Sequence, residues 1–167
     1  MVLDSLWQAL EASPVAAFVA GSDWAFPTLE SIHVIAIVTV VGSIAVMDFR
    51  LLGIASKDAA VTQMARDTLP LTWTAFVLAA ITGGLLFCSK ATNYAANPYF
   101  IAKMIFLVCA GVNQGIFHHF AWKGVHAWDK DTVIPRAGKI AGALSLTFWL
   151  LVIFCGRVIG FTLGIYE

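Results

Sequence analysis

The sequence predicts an all-α fold, an integral membrane four-helix bundle with a short amphipathic helix at the interface before it. Three observations carry this. Of 167 residues, 60% are hydrophobic and only 12% charged, about half the charged share of a soluble domain. The mean hydropathy is +0.85. Four apolar stretches are long enough to cross a hydrocarbon core of about 30 Å, which takes about 20 helical residues. The net charge is zero, so no nucleic-acid partner is expected.

The chain divides into an N-terminal extracytoplasmic segment, 1–26, and the bundle, 27–167. In the first, Leu3, Leu6, Trp7 and Leu10 recur at helical spacing, with Asp4, Gln8 and Glu11 on other faces, the pattern of a helix lying on a leaflet. Ser13-Pro14 ends it, and Trp24 and Phe26 read as interfacial anchors. Asp4 and Glu11, with no basic residue beside them, argue against a cleaved signal peptide. The spans are expected at 27–49, 70–89, 99–120 and 137–163. Pro27, Pro70, Pro98 and Pro135 stand at or just before the start of each, where a missing N–H is harmless. Asn97-Pro98 marks a tight turn between the second and third.

Loop charges set the orientation. Arg50, Lys57 and Arg66 lie in the first connection; Lys123, Lys130, Arg136 and Lys139 lie in or beside the third. The opposite side offers only Lys90, Lys103 and Arg157. Basic residues favour the cytoplasm, so both loops are placed there and both termini outside, in a bacterial inner membrane. Gly111-x-x-x-Gly115, Gly138-x-x-x-Gly142 and Gly156-x-x-x-Gly160 (continuing to Gly164) let helix backbones approach in lipid. They serve either packing within the chain or a homo-oligomer interface on the fourth span. Cys88, Cys109 and Cys155, an odd number within apolar stretches, read as small buried hydrophobes.

Polar side chains inside the spans mark the candidate site, because a charge there costs a few kcal/mol or more. Glu30, His33, Lys90, Lys103 and Arg157 fall within about one turn of a common depth, at a rise of 1.5 Å per residue. Glu30 and His33, at i and i+3, share a face. One carboxylate and an imidazole thus face three cations, an excess that an anionic ligand would balance. A second layer holds Asp48, Arg50, His118 and His119; Asp48 and Arg50 read most simply as an ion pair at the membrane boundary. Asn113, in the middle of the third span, needs a hydrogen-bonding partner.

The chain resembles a family of small bacterial membrane proteins known only as a domain of unknown function. The resemblance rests on Trp24-x-x-Pro27-x-x-Glu30-x-x-His33, Asp48-x-Arg50-Leu51-Leu52-Gly53, Lys90-Ala91-x-x-Tyr94-x-x-Asn97-Pro98 with Lys103 following, and Ala110-Gly111-x-Asn113 leading to Phe117-His118. It implies the four-span fold and flags these positions, His118 rather than His119 among them, and it assigns no reaction.

The leading functional expectation is a b-type haem protein that exchanges electrons with a quinone or another membrane redox partner, since facing helices of a bundle can offer axial histidines. His33 would ligate the iron, with Lys90, Lys103 or Arg157 holding the propionates. His118 is the competing ligand. The two histidines differ in depth by roughly 20 Å, so they cannot share one iron. A single Zn or Cu ion at His33 and Glu30, an anion-binding transporter or sensor, and a non-catalytic subunit without cofactor are the alternatives. The sequence has no nucleophile-and-base set, phosphate loop or nucleotide fingerprint, so no enzymatic activity of its own is expected.

Both termini are expected outside the cytoplasm. A reporter fused after Glu167 that works only when exported should be active, and one that works only in the cytoplasm should be silent.

Overall fold

A computed structural model describes residues 2–130, 133–163 and 165, with side chains from residue 4 onward. The side chain of Leu3, expected on the apolar face of the first helix, and Gly164 lie outside the described part. Seven α-helices follow in order: α1 Val2–Glu11, α2 Pro14–Gly21, α3 Ala25–Leu52, α4 Val61–Ser89, α5 Ala91–Ala96, α6 Pro98–Ile116 and α7 Arg136–Thr162. A π-helical turn, Phe117–Ala121, and a 3-10 turn, Trp122–Ala127, continue α6. The fold is an all-α bundle, and α3, α4, the α6 element and α7 are each long and apolar enough to cross a membrane. The protein is therefore a multi-pass membrane protein whose apolar helices face lipid.

Local chemistry sets most of the ends. Ser13 does more than stop α1. Its hydroxyl accepts the Ala16 N–H at 3.3 Å, and with Pro14 at the first position it starts α2. Asn97 accepts the Tyr99 N–H at 2.9 Å and Pro98 opens α6. Gly53 closes α3 in the left-handed region, at φ 72°, which a glycine adopts without strain. One start differs from expectation. Pro70 lies inside α4, which begins at Val61. Pro70 leaves the helix short of one hydrogen bond, and packing compensates for it, because Val61 and Ala65 are buried on the loop side of Pro70.

The start of α4 is completed by a distant residue. Its N-cap position is Ala60, which has no side chain able to cap. Asp129 takes that role: Oδ1 accepts the Thr62 N–H and Oδ2 the Thr62 hydroxyl, each at 2.7 Å. The Asp129 carbonyl also accepts the Val61 N–H at 3.0 Å. Arg50, fully buried at the end of α3, donates through Nε to Ala59 O at 2.8 Å and through Nη2 to Asp129 O at 3.4 Å. It therefore staples both connections of this loop end together. Leu51, Val61, Phe117, Val125, Trp128 and Ile134 form the apolar cluster beneath it.

Around the bundle, α4 packs on α3, α3 on α7, and α7 on α6; α4 and α6 do not pack against each other. A ring cluster spans their gap at the end carrying α1 and α5. Phe87 of α4 stacks on Phe100 of α6 with centroids 5.3 Å apart, and Trp7 of α1 meets Phe87 edge-on at 5.5 Å. Glu11 accepts the Thr92 N–H at 2.8 Å, fixing α1 to the start of α5. At the loop end the 3-10 turn after α6 reaches α4. Between these two bridges α4 and α6 share no backbone contact, and a second buried cluster, Val40, Ala75, Ala110, Trp149 and Val152, draws on all four long helices.

The Thr62 backbone N–H, with the Thr62 hydroxyl, holds the Asp129 carboxyl below the usual carboxylate range. A depressed carboxyl contributes stability above its unfolded pKa of about 3.9, and that contribution is lost as pH falls through the folded value. Asp129→Ala should cost about 1 kcal/mol near neutral pH, with the difference from the parent closing below pH of about 4. Thermal unfolding in detergent across pH checks both parts.

Candidate functional site

The gap between α4 and α6 leads into a cavity of about 600 Å³ bounded by all four long helices, a volume typical of small-molecule sites. Trp73, Phe76, Trp122 and Trp149 supply much of its wall. Gly111 and Gly115 line it from α6, and a Cβ at either would meet nothing within 4 Å. This pair of glycines packs no helix within the chain; it widens the cleft. Gly138 and Gly142 act in the opposite way. A Cβ at Gly142 would lie 3.2 Å from the Asp48 carbonyl oxygen and from Leu51 Cβ, so α7 presses against α3 beside Asp48. At Gly156 and Gly160 a Cβ meets nothing within 4 Å.

Asp48 is the group at the cavity that stands apart. It is 4% exposed, lines the cavity, and its Oδ2 has no hydrogen-bond partner. Ser145 of α7 lies beside the carboxyl. The ion pair expected with Arg50 does not form, because residues at i and i+2 point to different sides of a helix; Arg50 turns into the loops. The other polar groups of the wall are occupied. Ser43 donates to Val40 O at 2.9 Å and lies 2.7 Å from the Thr72 hydroxyl, which donates to Thr68 O at 2.9 Å. Asn113 finds its partner in Ala141 O of α7, at 2.9 Å.

His118 stands at the mouth. It is exposed, lines the cavity, and stacks on Trp122 with centroids 5.4 Å apart. Its Nδ1 lies 3.1 Å from Gln114 Nε2 and 3.2 Å from Gln114 O. The π-helical turn holding it is a rare conformation that recurs at functional sites. His119 meets Phe120 and is not among the cavity residues.

Of the five residues expected at one depth, His33 and Lys103 come together, while Glu30, Lys90 and Arg157 are exposed. His33 is wedged between α3 and α4, so close to Gly83 that a Cβ there would lie 2.8 Å from His33 Cε1. Its Nδ1 is 3.0 Å from the Thr82 hydroxyl. Thr82 spends its own hydrogen on Leu78 O at 2.7 Å, so the neutral imidazole donates from Nδ1 and carries its lone pair on Nε2. Lys103, half-buried, is the one expected cation that acts on His33; it also lies near Cys155. Glu30 is exposed and acts on Tyr94. Lys90 is exposed with Nζ 5.1 Å above the Phe26 ring. Arg157 is exposed over Phe161, one turn further along α7, at 4.5 Å. Among the described residues no three His, Cys, Asp or Glu side chains gather as a metal site.

Ser145, Gln114 and the cleft itself escaped the sequence reading. Ser145 had a signal: it follows Gly142 by three residues, on the face of α7 that its small residues press against α3.

The chain belongs to a family of unknown function (DUF6644), whose model matches residues 20–162. No curated protein and no solved structure matches it.

The tight His33–Gly83 contact gives a direct check. Gly83→Ala should destabilise the protein by about 1–3 kcal/mol through overpacking. In the double variant with His33→Ala the two losses should be less than additive, because the colliding ring is gone. A thermal-unfolding cycle in detergent measures the coupling.

Proposed function

We propose that the protein is a membrane-embedded binding protein for a bilayer-soluble small molecule, which enters sideways between α4 and α6. The observation that carries this reading is the buried Asp48, whose Oδ2 has no hydrogen-bond partner, in the wall of a mainly apolar cavity of about 600 Å³. Buried polar groups are nearly always hydrogen-bonded, and an exception inside a membrane segment is a functional position by default. The opening lies toward lipid, because no long helix separates α4 from α6. A ligand dissolved in the bilayer would reach the cavity without crossing a polar surface.

The haem expected from the sequence draws little support from His33. That ring is packed on Gly83 and bonded to Thr82, leaving no room for a macrocycle on that side, and His33 does not line the cavity. A haem in the cavity would have His118 as its one lining imidazole. A quinone remains a candidate occupant. The seven Lys and Arg at or beside the loop end, of ten in the chain, support a cytoplasmic position for that end. The open faces of Gly156 and Gly160 are consistent with self-association through α7.

Quinones quench tryptophan fluorescence, and Trp73, Trp122 and Trp149 line the cavity. Decyl-benzoquinone should quench the purified protein along a saturable curve. Gly111→Leu and Gly115→Leu fill open space, so they should leave helicity and monodispersity unchanged and weaken that binding about tenfold or more, the cost of losing a small hydrophobic pocket. An identical saturable curve in both variants would show that the cleft is not the site. A Soret band in the parent protein, lost on His118→Ala, would replace this reading with the haem one.

A further inference from the structure

The charge of the cavity bears on what it takes. Among the described residues, its wall contains one carboxyl, Asp48, and neither lysine nor arginine. The nearest arginine in sequence, Arg50, is turned into the loops and bonded to Ala59 O and Asp129 O. Among the described residues Ser145 is the polar group acting on the Asp48 carboxyl, and no charged side chain does so. His118 is the other titratable group of the wall, and it stands at the mouth beside Gln114.

The Ser43 and Thr72 hydroxyls point at backbone carbonyls, and the Asn113 amide at Ala141 O. The charged group in the wall is therefore Asp48, a 4% exposed residue whose Oδ2 has no hydrogen-bond partner, in a wall rich in aromatic rings. Trp73, Phe76, Phe117, Trp122 and Trp149 all reach the cavity. Aromatic faces attract cations, most strongly where water is excluded. A buried carboxylate with no internal counter-ion is relieved by a cation from outside. An anion or a haem propionate would be repelled by the Asp48 carboxylate and find no lysine or arginine in the wall.

We infer that the occupant is a lipophilic organic cation, an amine or onium group on an apolar body, whose charge rests against Asp48 while its body lies among the aromatic rings. The inference rests on the cleft being the binding site. Ligand and site share one balance of charge: the carboxylate and the cation neutralise each other, so the loaded cavity is neutral toward the lipid. The lateral gap between α4 and α6 admits a molecule of this class from the bilayer, where its apolar body concentrates it.

The test uses the full-length protein in detergent and two probes of the same size and shape, tetraphenylphosphonium and tetraphenylborate, read by quenching of the cavity tryptophans. The parent should bind the phosphonium saturably and about tenfold or more tighter than the borate, as expected for a desolvated charge contact. Asp48→Asn should keep its helicity and monodispersity in detergent and lose about tenfold or more in phosphonium affinity. Equal or tighter borate binding by the parent overturns the inference without needing any variant. So does unchanged phosphonium binding in a folded Asp48→Asn protein, or saturable quinone binding by a parent that ignores the phosphonium. If neither the quinone nor the phosphonium binds the parent saturably, the cleft itself is not a binding site, and both readings fall.

Discussion

Hydrocarbon offers no hydrogen bonds, and this constraint orders nearly every polar side chain within the spans. The hydroxyls bond back to their own helices: Thr39 to Ile35 O, Thr74 to Pro70 O, Thr82 to Leu78 O, Thr147 to Ala143 O. Such local closure satisfies the group without asking anything of a neighbouring helix. Longer side chains reach across instead, as Asn113 does to α7 and Asn97 does to the Thr162 hydroxyl at 2.9 Å. Against this background the bare oxygen of Asp48 is conspicuous. It cannot close on its own backbone, and no neighbouring helix supplies it with a donor.

The space exists because α4 and α6, unlike the other neighbouring long helices, make no close backbone contact with each other. An aromatic cluster joins α4 to α6 at one end, and the turn after α6 reaches α4 at the other. In between, α6 presents little to the interior: the apolar window of its element is 11% buried, against 28% for α7. Glycines at the α6 wall widen the same region. A helix pair whose backbones stay apart can tolerate a guest between them without losing the α3–α4, α3–α7 and α6–α7 contacts that define the fold.

The four spans, the Asn97–Pro98 turn and the need of Asn113 for a partner were legible in the sequence. Helical rise speaks only of depth, since depth needs only counting. It gives no azimuth. In a soluble protein, polarity shows which face of a helix looks inward, but lipid and protein interior are equally apolar. Arg157, between the buried Cys155 and Ile159, therefore looked as central as Lys103. The buried stripe of α3, Ala36, Val40, Ser43, Asp48 and Leu51, has a helical period, yet the exposed Val34, Ile35 and Val38 between them are just as hydrophobic. Pro70 misled for a related reason, since a proline marks a start only where packing does not carry the helix past it.

The cap of α4 has a temporal side. Thr62 and Asp129 are separated by 67 residues, and the whole of α5 and α6 lies between them. On the ribosome, the first turn of α4 stays unfinished while those residues are made, its N–H groups served by water or borrowed partners. The finishing carboxylate arrives only after the third span has been threaded. Assembly of this end is thereby ordered in time: the second span enters the membrane provisionally, and the third, by delivering Asp129, locks it.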